Sequence, residues 1–192
     1  MNTYENVLKE AIRLNKLAQE SANNTMYQEA EERWKKCEEI YTKLFFNEEK
    51  KFKDSDIERR DILIMSETFF NLGNLYYLKD RFEDAVDYLK KVIILLKRIK
   101  CTDLQDENNK KEFTDLQYAN ALYLLSKIYT RQIRYEEAES NLDEVLNIYK
   151  ERFIFNEITS DTIQMLIELR RLSGKPVVDL INLRQLNFLA TS

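Results

Sequence analysis

The sequence predicts an all-α protein built as an array of packed helix pairs. Three observations support this prediction. The chain of 192 residues contains only 2 glycines and 1 proline. Apolar residues recur at helical spacing along most of its length, and one pattern of apolar and small residues returns three times. Glycine and proline mark turns, so their scarcity favours long helices joined by short connections.

The recurring pattern is a register of eight positions in which every internal gap is preserved. Its first four positions fall at i, i+3, i+4 and i+7, which lie on one face of a helix, and its last four mark a second such face. Polar residues between the two halves predict a turn. The three registers are Leu14, Leu17, Ala18, Ser21, Tyr27, Ala30, Trp34 and Cys37; Phe69, Leu72, Gly73, Tyr76, Phe82, Ala85, Leu89 and Val92; and Leu122, Leu125, Ser126, Tyr129, Tyr135, Ala138, Leu142 and Val145.

One register position is always small, and it explains a glycine inside a helix. Ala18, Gly73 and Ser126 occupy this position. Glycine within a helix costs roughly 1 kcal/mol relative to alanine, so a packing requirement is needed to justify it. We interpret the position as the point where paired helices approach most closely. The aromatic residues expected in the core are Phe69, Tyr76, Phe82 and Tyr88, and Trp34 and Cys37 are expected there in the first unit.

The register resembles the tetratricopeptide repeat (TPR), whose pattern is W-x₂-L-G-x₂-Y followed by A-x₃-F. The resemblance implies antiparallel helix-turn-helix units that stack into a solenoid. The resemblance covers most of the chain, which we expect to form a single domain, 1–192. The expected units are three clear repeats at about 3–46, 57–100 and 112–153, and a degenerate fourth at about 159–189.

The spacing departs from the usual repeat of roughly 34 residues. Extra residues fall at Asn47 to Glu58 and at Cys101 to Leu116, which are expected to be loops or extensions of the following helices. The segment from Tyr135 to Thr162 is similar to the 42-residue repeats of kinesin light chains. The second helix of the fourth unit is expected to start at Pro176, because proline suits the first helical turn.

The composition argues against an enzyme, a cofactor or a metal site. The chain has no histidine, which removes the commonest general base and metal ligand. Ser173-Gly174-Lys175-Pro176 lacks the upstream glycine of a phosphate-binding loop and is interpreted as a turn. The pI of 5.2 argues against nucleic acid as the main partner. No apolar run reaches the roughly 18 residues that a membrane crossing requires, and two cysteines without a disulfide framework favour the cytoplasm.

The TPR resemblance implies that a protein partner, as an extended peptide or a helix, binds the concave face lined by each unit's first helix. Amide side chains can donate to and accept from a peptide backbone at once, and aromatic residues offer apolar anchors. The predicted groove residues are Asn15, Lys16, Gln19, Glu67, Phe70, Asn71, Asn74, Tyr77, Asn120, Tyr123, Lys127 and Arg131. A chaperone-type carboxylate clamp is not expected, because only Asn71 matches its pattern.

Two alternatives stay open at this point. The last helix is apolar on more than one face, so the protein could instead be a structural subunit or a homodimer that docks through Leu186, Phe188 and Leu189. A regulatory TPR protein that senses a signalling peptide is the other alternative. Such proteins usually carry more repeats, or an added effector domain, and this chain has room for neither. In the fourth unit, an apolar groove is expected from Met165, Leu166, Leu169 and Leu172.

Overall fold

The computed structural model describes residues 3–45, 59–102, 108–154 and 156–191, with side chains placed for 5–45, 59–99, 114–154 and 156–185. The described residues form helices and turns and no strand, which confirms the all-α prediction. They divide into two compact units, Met1–Thr102 (unit 1) and Asp103–Ser192 (unit 2). The helices are α1 (Thr3–Asn23), α2 (Tyr27–Phe45), α3 (Arg59–Leu78), α4 (Phe82–Thr102), α5 (Asn108–Arg131), α6 (Tyr135–Glu151), α7 (Glu157–Leu172) and α8 (Val178–Thr191).

Each unit consists of two helix pairs. In unit 1, α1 packs on α2, α3 packs on α4, and α2 also packs on α3. In unit 2 the corresponding contacts join α5 with α6, α6 with α7 and α7 with α8. Each helix therefore buries an apolar face against its pair partner, and α2 and α6 also contact the next pair. The continuity of the two units as one solenoid over 1–192 stays a prediction.

Large aromatic and aliphatic residues fill the core of each unit. Phe69, Tyr76, Tyr88, Trp34 and Cys37 are buried as expected. The position that opens each second helix is not buried, since Phe82 is half-buried and Tyr27 and Tyr135 are exposed, and Leu14 and Leu17 of the first register are half-buried as well. The prediction that Phe82 is a core residue was wrong, because it lies beside the turn rather than between the paired helices. The largest fully buried side chains are Tyr41, Phe45, Met65, Phe69, Leu72, Tyr76, Leu89, Leu96 and Ile99 in unit 1, and Tyr118, Ile128 and Tyr149 in unit 2.

Gly73 lies where α3 and α4 approach each other. A Cβ atom built on it would stand 3.1 Å from Leu89 Cγ and 3.5 Å from the carbonyl oxygen of Ala85. Leu89 is itself fully buried, so it has little freedom to move aside. The structure confirms that this glycine serves close helix packing.

The first helix of each of the first three pairs ends in a left-handed turn without glycine. Thr25, Asp80 and Ile133 have φ angles of 62°, 56° and 62°. After each of them, the next backbone N–H bonds to a carbonyl five residues earlier, as from Arg81 to Tyr76 at 2.9 Å. This arrangement satisfies the last carbonyls of the helix and reverses the chain. Gly174, with φ 68°, ends α7 in the same way and confirms the turn predicted there.

Three local predictions need correction or restriction. Within Cys101 to Leu116, α4 runs to Thr102 and α5 begins at Asn108, so the last part of this segment extends the following helix, which was one of the two expected alternatives. The other segment, Asn47 to Glu58, lies outside the described residues. Helix α8 begins at Val178, two residues after Pro176. The apolar groove expected in the fourth unit was wrong, because Leu166 and Leu169 are buried in the core of unit 2. The degenerate register of that unit had placed these residues on the opposite face.

None of the helices within the described ranges combines the length and the apolar character that a membrane crossing requires.

Candidate protein-binding surface

The predicted groove residues of unit 1 lie on the sides of α1 and α3 that adjoin each other. A hydrogen bond from Asn15 Nδ2 to Glu67 Oε2, at 3.4 Å, joins the two helices on this side. Positions three and four apart share a helix face, so the α3 residues form one stripe beside the α1 residues. We call this surface the unit 1 face; its members are Lys16, Gln19, Glu67, Phe70, Asn71, Asn74 and Tyr77.

Exposure divides these residues into two groups. Lys16, Gln19 and Asn74 are exposed and can contact a partner without rearrangement. Four α3 residues are half-buried and form the floor of the unit 1 face: Glu67, Phe70, Asn71 and Tyr77. The combination gives a polar rim over a floor that carries two aromatic rings.

Asn15 is used within the fold. It is only 5% exposed. Its Oδ1 accepts hydrogen bonds from Trp34 Nε1 at 3.0 Å and from Thr68 Oγ1 at 3.1 Å, while its amide group donates to Glu67. One buried side chain therefore joins α1 to both α2 and α3. Both ends of the Asn15 amide are thus bonded within the protein, so Asn15 holds the floor of the unit 1 face in place.

Glu67 has an incomplete set of partners. Its carboxylate is half-buried, and its one hydrogen bond among the described residues is the long one from Asn15. Burial raises the pKa of Glu67, and the Asn15 amide offsets this effect only in part. A carboxylate removed from water without a cation is an unfavourable arrangement in a free protein.

Asn71, one turn along α3 from Glu67, also has an unsatisfied group. Its Nδ2 is buried and has no hydrogen-bond partner among the described residues. An unpaired buried amide group costs about 1–3 kcal/mol. Rotation of the half-buried side chain would bring this donor to the surface and to an acceptor on a partner.

The sequence analysis missed Leu78 as a member of the unit 1 face. This residue ends α3 and is 59% exposed. The signal was present, because Leu78 lies four residues after Asn74 and therefore on the same stripe. It was overlooked because it directly precedes the polar turn.

The predicted groove residues of unit 2 are tied to their own unit. Tyr123 donates to Asp161 of α7 at 3.1 Å, and Asn120 accepts from Tyr149 of α6 at 3.3 Å. The ammonium group of Lys127 lies 5.4 Å from the centre of the Tyr123 ring. Arg131 is exposed at the end of α5. Contacts with neighbouring helices thus hold Asn120 and Tyr123 in place, whereas Lys127 and Arg131 are at least partly exposed to solvent.

A cluster of charged residues fastens the two helix pairs of unit 1 on another side. Glu38 of α2 accepts hydrogen bonds from Tyr88 at 2.6 Å and from Lys91 at 2.9 Å. The ammonium nitrogen of Lys35 lies 3.1 Å from the same carboxylate. Burial alone would raise the pKa of Glu38, but these hydrogen bonds and the Lys91 charge outweigh it and hold the pKa below its usual value. This cluster stabilises the packing of α2 against α4.

We expect this cluster to make unit 1 sensitive to acid. Because the folded state lowers the pKa of Glu38, its stabilising contribution is present above the unfolded pKa near 4.5 and is lost as the pH falls through the lower folded value. At pH 7, Glu38→Gln should lower the free energy of unfolding by about 1–2 kcal/mol. Urea unfolding followed by fluorescence of Trp34, from pH 7 to 3, measures this. The difference between the variant and the wild type should shrink as the pH falls, and a constant difference would contradict the assignment.

The docking residues proposed for the last helix, Leu186, Phe188 and Leu189, have side chains outside the described residues. Two apolar residues close to the start of α8 are described and open to solvent: Leu172 is 70% exposed and Val178 is 64% exposed. Two exposed apolar side chains therefore lie near the start of this helix.

The described residues contain no group of three or more acidic or cysteine side chains arranged to hold a metal ion. Burial raises the pKa of the Cys37 thiol to about 12, and its sulfur donates to the Ala11 carbonyl oxygen at 3.3 Å. Cys37 is thus a packed thiol rather than a nucleophile.

Comparison with known proteins identifies the repeated unit. The family model of the tetratricopeptide repeat matches residues 71–99 and 119–153, which cover most of the second and third helix pairs. The chain contains tetratricopeptide repeats. The TPR resemblance of the second and third registers is thereby confirmed. The described helices form four pairs, as the resemblance predicts, and the assignment of the first and fourth pairs as repeats stays a prediction. No curated protein matches the sequence.

Solved structures of other TPR proteins share the fold. A kinesin light chain-like protein of Podosopora anserina with nearly identical TPR-like repeats is 15% identical, with a TM-score of 0.60 over 95% of this chain and 76% of that one. A single-substitution variant of it gives a TM-score of 0.61. BtubC (BKLC) from P. vanneervenii is also 15% identical, with a TM-score of 0.54 over 99% of this chain and 74% of that one. At this identity, the likeness establishes a TPR fold.

Proposed function

We propose that this TPR protein is a non-catalytic interaction module that binds a peptide or helix of a partner protein on its first-helix surfaces, chiefly on the unit 1 face. The observation that carries the proposal is the unpaired amide nitrogen of Asn71, between the exposed amide of Asn74 and the half-buried ring of Phe70. A backbone carbonyl of a bound peptide would satisfy this donor. The neighbouring ring would contact an apolar side chain of the same peptide.

The polar side chains around the aromatic floor also support a peptide ligand. Lys16 and Gln19 of α1 are exposed beside the α3 stripe, so polar groups flank the aromatic floor on one side. Amides on both helices can bond to peptide groups without requiring one particular side chain. Leu78 extends the stripe with an apolar contact. The cytoplasmic location predicted from the cysteine content remains part of this proposal.

Selection from a phage-displayed library of random 16-residue peptides tests the proposal directly. Peptides selected on the wild-type chain would be synthesised and their binding measured by fluorescence anisotropy. We expect Asn71→Ala combined with Asn74→Ala to weaken binding at least about tenfold, because hydrogen bonds to peptide groups are lost. Helicity should not change and the melting temperature should not fall, since neither side chain makes a hydrogen bond within the described protein.

A matched control removes two asparagines from second helices. Asn147 of α6 and Asn182 of α8 are exposed. The double variant Asn147→Ala and Asn182→Ala should bind the selected peptides as the wild type does. Peptides that bind equally well to the Asn71 and Asn74 variant would show that the unit 1 face is not the binding site.

A second candidate function follows from the exposure of Leu172 and Val178. Under this alternative, the chain is a subunit of a larger complex or a homodimer that docks through α8 and its surroundings. Phe188→Asp with Leu189→Asp would then abolish assembly measured by light scattering, while the Asn71 and Asn74 variant would still assemble. The opposite pattern favours the peptide-binding module.

A further inference from the structure

The unit 1 face holds a carboxylate that the protein itself does not neutralise. Glu67 is half-buried on α3, and the one hydrogen bond that it makes among the described residues comes from the neutral amide of Asn15, at 3.4 Å. No described lysine or arginine forms an ion pair with it. Lys16, the nearest cation in sequence to Asn15, is exposed and makes no bond to Glu67.

Other half-buried carboxylates of unit 1 have cationic partners. Glu38 is paired with Lys35 and Lys91, and Glu31 is paired with Lys79. Buried charges in proteins are generally paired. Among these carboxylates, Glu67 departs from the rule, and it does so on the surface proposed to bind a partner.

We propose that Glu67 is the recognition site for a basic side chain, arginine or lysine, of the peptide that binds the unit 1 face. This inference rests on the proposed function. A guanidinium group can bond to both carboxylate oxygens at once. Phe70, three residues along the same stripe, offers a ring face on which a guanidinium group stacks.

Asn71 completes the arrangement, because it lies four residues after Glu67 and so one turn along α3. Its unpaired Nδ2 donates to a main-chain carbonyl of the peptide, and the carboxylate takes the side chain of the same or the adjacent peptide residue. Two unsatisfied groups of opposite character, one donor and one anion, match the carbonyl and the cation of a single basic residue. A peptide with an acidic residue at this point is rejected by the uncompensated charge.

A double-mutant cycle on the full chain tests the inference. Each basic peptide selected from the library is remade with one arginine replaced by citrulline, which keeps the shape and removes the charge, or with one lysine acetylated. Binding of both peptide forms is measured on the wild type and on Glu67→Gln. We expect each single change to weaken binding about tenfold, because a charge-assisted bond is lost. The two changes together should cost little more than one, since they remove the same contact.

The variant is designed to remain folded. A glutamine at this position still accepts a hydrogen bond from Asn15 and carries no charge to desolvate. Because the folded state raises the pKa of Glu67, the stability penalty of its charge is present at pH 7 and disappears at low pH. Glu67→Gln should therefore melt above the wild type at pH 7, with a difference that shrinks toward pH 4. Glu39→Gln, an exposed charge on α2, controls for the change in net charge.

The possible results separate the inference from the proposed function. Coupled losses at Glu67 and at one basic peptide residue support the inference. Peptides that need Asn71 and Asn74 but bind equally to Glu67→Gln overturn the inference and leave the proposed function standing. If no selected peptide depends on Asn71 and Asn74, the proposed function fails and the inference fails with it.

Discussion

Gly73→Leu should destabilise unit 1 by about 3 kcal/mol, the upper part of the range for overpacking a filled core. The reason is the 3.1 Å separation between a Cβ at this position and Leu89 Cγ, which is already tighter than ordinary contact. A leucine places three further carbon atoms in the same space, so α3 and α4 must move apart. Unfolding in urea, followed by the fluorescence of Trp34, measures the loss in the unit that carries the substitution.

The control for this experiment adds the same side chain to the same helix at an exposed site. Asn74→Leu, one residue further along α3, introduces a leucine without a neighbour to displace. It should unfold close to the wild type, within about 0.5 kcal/mol. If Gly73→Leu unfolds at the same urea concentration as this control, close helix packing does not explain the glycine.

Asn15→Leu should destabilise unit 1 by a similar amount, about 2–4 kcal/mol, although leucine keeps the branched shape of the side chain. The leucine would leave Trp34 Nε1 without its acceptor, whereas Thr68 Oγ1 would keep the Ile64 carbonyl oxygen at 3.2 Å. Loss of the hydrogen bond to the indole should also shift the emission of Trp34 in the folded state, which reports the local change separately from stability.

Repair of the donors distinguishes this mechanism from a simple packing defect. Combining Asn15→Leu with Trp34→Phe and Thr68→Val removes the unsatisfied indole donor, and the second donor to Asn15, along with the acceptor. The triple variant, followed by circular dichroism, should be more stable than the sum of its single changes predicts. Additive losses would show that Asn15 acts through its shape alone.

The fold could be predicted from the sequence because its main determinants are local and repeated. The register of apolar and small residues recurs with the same gaps, so the three observed pairs from α1 to α6 followed from periodicity. Gly73 was predicted correctly for the same reason, since Ala18 and Ser126 occupy its position in the other repeats. The fourth repeat, where the register is degenerate, is also where the burial of Leu166 and Leu169 was predicted wrongly.

The binding surface could be predicted only in part, because hydrogen bonds between distant residues leave no sequence pattern. Asn15 was predicted from its helix position, yet its contacts with Trp34 and Thr68 depend on how two helix pairs pack. The unpaired state of Glu67 likewise depends on which cations fail to reach it. Position on a helix was predictable, whereas the partners that occupy a side chain were not.

The acidic residues of α2 and α6 have a consequence for how the units unfold. Glu31 bonds to Tyr76 at 2.9 Å in the following repeat, and Glu139, at the matching position of the third repeat, is paired with Arg170 and Lys175 of the fourth. In a repeat protein, cooperativity comes from the interfaces between neighbours rather than from the repeats themselves. Within each unit, these hydrogen bonds and ion pairs supply part of the coupling between neighbouring repeats. High salt screens such pairs, so it should weaken the coupling between neighbouring repeats before it reduces their helix content.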